Sequence, residues 1–121
     1  MGSVLVVEDD DDIRALVMRR LERAGHDVNE AADGVEGLAA IQERKPDLVV
    51  LDWMMPRLDG PGVVDALVAD GGDRPRILML TARNQQSDID RMLALGVDEF
   101  LAKPFLAPDL LAAVDRLIAA E

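Results

Sequence analysis

The chain has 121 residues, half of them apolar, and its 13 basic and 24 acidic side chains leave a formal net charge of −11. That length and apolar share fit one domain with a core of its own and exclude a disordered chain. The absence of cysteine excludes disulfides, thiolate metal sites and a cysteine nucleophile. Strong negative charge argues against direct nucleic-acid binding. No apolar stretch approaches the ~20 residues of a membrane span, and no basic leader precedes one, so a cytoplasmic protein is expected.

Residues 3–8 (SVLVVE) form a short, β-branched, continuously apolar run, the signature of a strand covered on both faces. Ile13, Val17, Leu21 and Ala24 then recur at helical spacing, and Gly25 stands where a helix ends in a left-handed residue. Residues 27–31 (DVNEA) alternate, which suits an edge strand. Val35, Leu38 and Ile41 predict a second helix, Pro46 a boundary, and residues 47–52 (DLVVLD) a second buried strand form. Leu58, Asp59 and Gly60 read as a turn before a helix marked by Val63, Ala66 and Leu67. After Pro75 come a strand at residues 76–80 (RILML) and a helix marked by Ile89, Met92 and Leu93 and closed by Gly96. A last, weaker strand at residues 98–102 (DEFLA) precedes Pro108 and a fifth helix carrying Leu110, Leu111, Val114, Leu117 and Ile118. No repeat or linker interrupts the pattern, so a single domain over residues 1–121, without an output domain, is expected.

Five strands alternating with five helices predict an α/β fold, a (βα)5 three-layer sandwich around a parallel sheet. Such sheets bind ligands outside the carboxyl ends of their strands. The residues there are Glu8 and Asp9, then Asp52, then Thr81 and Ala82, then Lys103. Carboxylates brought together repel one another unless a cation joins them, and an all-oxygen donor set favours Mg²⁺. A carboxylate beside Mg²⁺ is a competent nucleophile towards phosphorus. Lys103 and Thr81 supply the cation and hydroxyl that a transferred phosphoryl group needs, and small Ala82 leaves it room. Each residue alone has an ordinary explanation. Asp10, Asp11 and Asp12 suit a solvated helix start, Thr81 a turn, Lys103 a surface lysine. Their joint occurrence at successive strand ends is what points to chemistry.

The segments VLVVEDD (residues 4–10), LVVLDWMMPRLDG (48–60), ILMLTA (77–82) and KPF (103–105) occur in an order and spacing that resemble the receiver domain of bacterial two-component response regulators, across essentially the whole chain. The resemblance implies a flavodoxin-like sheet of order 2-1-3-4-5, with Asp52 as phosphoacceptor. It implies Mg²⁺ held by Asp9, Asp52 and the backbone carbonyl of Met54, with Glu8 in support. Thr81, Ala82 and Lys103 would meet the phosphoryl group, Phe100 would occupy an aromatic switch position without the hydroxyl of tyrosine, and the bond before Pro104 would be cis. Met54 and Arg83 would flank the site. The implied donor is a sensor histidine kinase or phosphotransfer protein. The implied target is a downstream effector or a missing output domain, acting through the surface of the fourth helix, fifth strand and fifth helix. Arg91, Asp98, Glu99 and Arg116 lie on that surface, whose role in self-association the sequence leaves open.

Two other functions compete with this one. A Mg²⁺-dependent phosphohydrolase would want an acid two residues after its nucleophile, where this chain has Met54, so a turnover enzyme is not expected. A phosphorylation-independent scaffold would not need the complete set of Glu8, Asp9, Asp52, Thr81 and Lys103. His26, the lone histidine, reads as a turn residue, and Met18, Met79 and Met92 as core fillers. Residues 60–62 (GPG) are not a phosphate loop, because no Gly-Lys-Ser/Thr follows.

Overall fold

Each apolar run forms a strand, and the amphipathic stretches between them form helices, in a computed structural model that describes residues 2–82 and 85–119. Arg83 lies outside the described residues. In chain order the elements are β1 (Ser3–Val7), α1 (Asp11–Arg23), β2 (Asp27–Ala31), α2 (Gly34–Arg44), β3 (Leu48–Asp52), α3 (Gly60–Asp70), β4 (Arg76–Thr81), α4 (Gln86–Ala94), β5 (Glu99–Ala102) and α5 (Ala107–Ala119). All pairings are parallel, and the strand order is β2-β1-β3-β4-β5, as the resemblance implied. The alternating segment at residues 27–31 is indeed an edge strand.

Continuous apolar character in the central strands reflects a core on each face of the sheet. On one face Val4, Val6, Val50 and Leu80 pack with Val17 and Leu21 of α1 and Leu110 and Val114 of α5. On the other, Leu5, Val7, Leu51 and Met79 pack with Ile41 of α2, Val63 and Leu67 of α3 and Met92 of α4. Among the described residues no helix is long and apolar enough to cross a membrane.

Three aspartates start three helices. The Asp10 carboxylate accepts from the backbone N–H groups of Asp12 and Ile13, Asp33 from that of Glu36, and Asp59 from that of Gly62. The second residue of that last helix, Pro61, has no N–H to lose. Replacing Asp59 by alanine is expected to lower the unfolding free energy by about 1 kcal/mol in urea titration, whereas serine retains most of it. Gly25 and Gly96 take the predicted left-handed conformation, with φ of 95° and 106°.

Three apolar positions differ from the periodic reading. Val35 is 41% exposed, because the buried face of α2 runs through Gly37 and Ile41 instead. The helix passes so near β1 that a Cβ on Gly37 would stand 2.8 Å from Cγ1 of Val7. Ala24 is the exposed C-cap of α1, past its last buried turn, and Leu93 is half-exposed beside buried Met92. His26 lies in the α1–β2 turn as expected. It is buried, its Nδ1 accepting from the Gly2 N–H (3.1 Å) and its Nε2 standing 3.7 Å from Asp115. Met79 and Met92 are fully buried, and Met18 is partly so.

Candidate functional site

Parallel register carries the strand ends to one edge. Val7 pairs with Leu51, Asp52 with Leu80, and Thr81 with Ala102. The next residues therefore converge: Glu8 and Asp9 after β1, Asp52 ending β3, Thr81 ending β4, and Lys103 after β5. A cleft of 280 Å³ is lined by all five, together with Asp10, Ile13, Trp53, Met54 and Ala82. A larger groove of 610 Å³ opens near the starts of β3 and β4, with Ile41 and Leu67 in its wall and Lys45, Asp73 and Arg74 about it. It shares no residue with the strand-end constellation.

Glu8, Asp52 and Thr81 are buried, whereas Asp9 is exposed at the mouth. The Lys103 ammonium joins two of the acids, donating to Oε1 of Glu8 at 2.7 Å and standing 2.8 Å from Oδ1 of Asp52. The backbone holds both ends of this bridge. The Glu8 N–H donates to the Ala31 carbonyl (3.1 Å), and the Lys103 N–H donates to the Thr81 carbonyl (2.8 Å). Oδ1 of Asp52 also accepts from the Trp53 N–H at 3.0 Å. The Lys103–Pro104 bond is cis.

One ammonium faces three carboxylates, and the electrostatics show the shortfall. Burial pushes the Glu8 carboxyl above its ordinary pKa, and neighbouring Asp52 pushes the same way against Lys103. Burial and then Glu8 raise Asp9. Burial opposes the charge on Lys103, but hydrogen bonds to Asp52 and Glu8 outweigh it and hold the ammonium above the usual lysine range. Oxygens of Glu8, Asp9 and Asp52 all lie within 4.8 Å of one another. Hard oxygen donors crowded to the point of favouring protons fit a divalent cation such as Mg²⁺, with the Met54 segment at the cleft wall.

Phe100, predicted at the site, stands outside the cleft lining. Its ring packs against Trp53, with centroids 6.5 Å apart and planes inclined at 37°. Trp53 is thus joined through its N–H to Asp52 and through its indole to Phe100, a link the sequence reading missed. Arg14 was also missed. Its guanidinium donates to the Glu8 carbonyl (2.8 Å) and pairs with Glu30 (2.8 Å) and Asp11 (2.6 Å), tying α1 and β2 to the end of β1. Helical spacing offers only its i,i+3 pair with Asp11, and the fold alone brings Glu8 and Glu30 to it. The four charges that the sequence reading places on the surface of α4, β5 and α5 are engaged within the chain: Arg91 with Asp65, Asp98 with Arg76, and Arg116 with Glu99.

The family model for the response regulator receiver domain matches residues 4–115. The chain is 46% identical over 115 residues to the response regulator MprA of a Mycobacterium species, covering 95% of this chain and 50% of that protein. It is 44% identical to the transcriptional regulatory protein PrrA of Mycobacterium tuberculosis, covering 95% and 49%. It therefore spans about half the length of these curated relatives. Among solved structures, the receiver domain of the Francisella response regulator 1452 superposes with a TM-score of 0.92 at 32% identity, covering 99% of this chain and 98% of that one. The Vibrio cholerae chemotaxis protein CheY4 superposes with a TM-score of 0.89 at 35% identity, covering 97% and 98%.

Proposed function

The chain belongs to the response regulator receiver family of two-component systems, and on that premise we propose that it is a phosphoacceptor switch centred on Asp52. The observation that carries the reading is the bridge from Glu8 through Lys103 to Asp52, with Asp9 at the cleft mouth. A carboxylate oxygen of Asp52 attacks the phosphorus of a phosphohistidine on a sensor kinase or phosphotransfer protein, and the P–N bond to the donor imidazole breaks. Lys103 and the Thr81 hydroxyl meet the transferred oxygens, and the small Ala82 side chain admits them. Asp9, Asp52 and the Met54 carbonyl, with Glu8 behind, would hold Mg²⁺, which when bound would supply positive charge against the carboxylates and Lewis acidity for phosphoryl transfer. Glu8 orients Lys103 from the buried side. Hydrolysis of the acyl phosphate resets the switch.

The response spreads through Thr81 and Phe100 to the surface of α4, β5 and α5, which controls an effector protein or an output domain. Helix α4 suits such a role: it is nine residues long, its N-cap Gln85 makes no side-chain cap bond, and Met92 is its one buried residue. The domain acts in the cytoplasm and binds no nucleic acid itself. It assists its own phosphorylation and is not a turnover enzyme, because Met54 offers no proton where a phosphohydrolase needs an acid.

Trp53 reports the site. Mg²⁺ and then beryllofluoride, a phosphoryl mimic, are expected to change its emission saturably. An unchanged spectrum, together with no phosphate detectable by mass, overturns the reading. Protons compete with the cation for Glu8 and Asp9, whose pKa values are raised. Mg²⁺ affinity is therefore expected to be full above those values and to fall as pH drops through them, measurable by repeating the titration across mildly acidic pH.

A further inference from the structure

The loop between β3 and α3, residues 53–59, leaves the cleft after Met54, which lines it, and comes to rest on the start of α2. Arg57 in this loop has φ of 68°, in the left-handed region that residues with a Cβ avoid. Its Nη1 stands 3.3 Å from Oδ2 of Asp33. Asp33 is 6% exposed, and its other oxygen is already committed to the Glu36 N–H at 2.9 Å as the cap of α2. The acceptor that meets Arg57 is therefore held in place by the helix. Next to it, a Cβ on Gly34 would meet the Leu58 carbonyl oxygen at 2.0 Å, so loop backbone lies directly on the first turn of α2. At the sheet side the Gly60 N–H closes the same loop onto the Trp53 carbonyl at 2.8 Å.

We propose that Arg57 is a positioning residue for the divalent-cation site: its pair with Asp33 fixes the 53–59 loop so that the Met54 carbonyl meets the carboxylates of Asp9 and Asp52. The proposal rests on the reading of Met54 as a ligand given above. Without the pair, the loop keeps its β3 anchor and loses a tether on α2, and the cation must order the backbone as it binds. Arg57 is more than half exposed, so the effect is modest, about two- to five-fold in Mg²⁺ affinity.

The test compares the wild type with Arg57→Gln, Arg57→Lys, Asp33→Asn and the Asp33→Asn/Arg57→Gln double variant. Asparagine caps a helix as well as aspartate does, so Asp33→Asn removes the charge and spares α2. Mg²⁺ affinity is measured by Trp53 emission and by calorimetry, and stability without Mg²⁺ by urea titration. Amide exchange of residues 54–58 is followed in the metal-free protein. Arg57→Gln and Asp33→Asn are each expected to weaken Mg²⁺ about two- to five-fold and to speed exchange in the loop, while urea midpoints hardly move. The double variant is expected to be no weaker than the poorer single one, and Arg57→Lys to recover part of the loss. Unchanged affinity in Arg57→Gln, or losses that simply add in the double variant, overturns the positioning role while the metal site itself stands. A wild type that binds no Mg²⁺ overturns both.

Discussion

Asp52→Asn is expected to abolish phosphoryl capture: with Mg²⁺ and a small acyl phosphate, the wild type gains the mass of one phosphoryl group and the variant gains none. An amide is nearly the same shape as the carboxylate but is not a nucleophile towards phosphorus. The local frame survives the change. The Trp53 N–H still finds a side-chain oxygen, and Lys103 keeps its 2.7 Å contact with Glu8. Loss of the beryllofluoride response of Trp53, with a circular dichroism spectrum like that of the wild type, identifies the effect as chemical. Phosphate found on the variant by mass would place the acceptor elsewhere and sink the assignment.

Lys103→Ala has the second large effect, and it divides between function and stability. The variant is expected to keep Mg²⁺ binding, because the carboxylates remain, and to lose the response of its partner, because nothing else meets the phosphoryl group from that side. A variant that still switches its partner fully removes Lys103 from the mechanism. Without Mg²⁺ it also leaves Glu8 fully buried with no cation. Breaking a buried ion pair costs 3–5 kcal/mol, and since a fifth of the Lys103 side chain is exposed, a loss of about 2–3 kcal/mol is expected. The pH dependence has a definite sign. A carboxyl whose folded pKa is raised binds its proton more tightly folded than unfolded, so its ionisation weakens the fold as pH rises through the folded value. Removing Lys103 raises Glu8 further. The deficit of the variant is therefore greatest at neutral pH and shrinks as pH falls through the Glu8 value, and Mg²⁺ lessens it by supplying the missing charge. Urea titrations at neutral and mildly acidic pH, with and without Mg²⁺, measure all three.

The strands were legible because β1, β3 and β4 are covered on both faces, and a chain so covered must be apolar at successive positions rather than alternate ones. The caps were legible in part. Asp59 reads as a turn residue before α3 and proves to cap it, Asp10 reads as part of a solvated helix start and proves to cap α1, and Asp33 goes unmarked. The constellation of Glu8, Asp9, Asp52, Thr81 and Lys103 could be named because carboxyl ends of parallel strands share one edge of a sheet, whatever fills the sequence between them. Periodicity misjudged Val35 because it scores the polarity of a side chain and not the distance to the next element. Where α2 presses on Val7 there is room for glycine and none for a larger side chain.

Sequence alone thus determined the fold class, the strand order through family resemblance, and the list of groups at the site. Tertiary structure decided which of those groups touch. Lys103 reaches Glu8 across 95 positions, Trp53 meets Phe100, Arg57 meets Asp33, and Arg116 turns back to Glu99. Local patterning encodes which face of an element seeks the core. Side-chain partners depend on where separate elements come to lie, and that is set by packing of the whole sheet against its two helical layers.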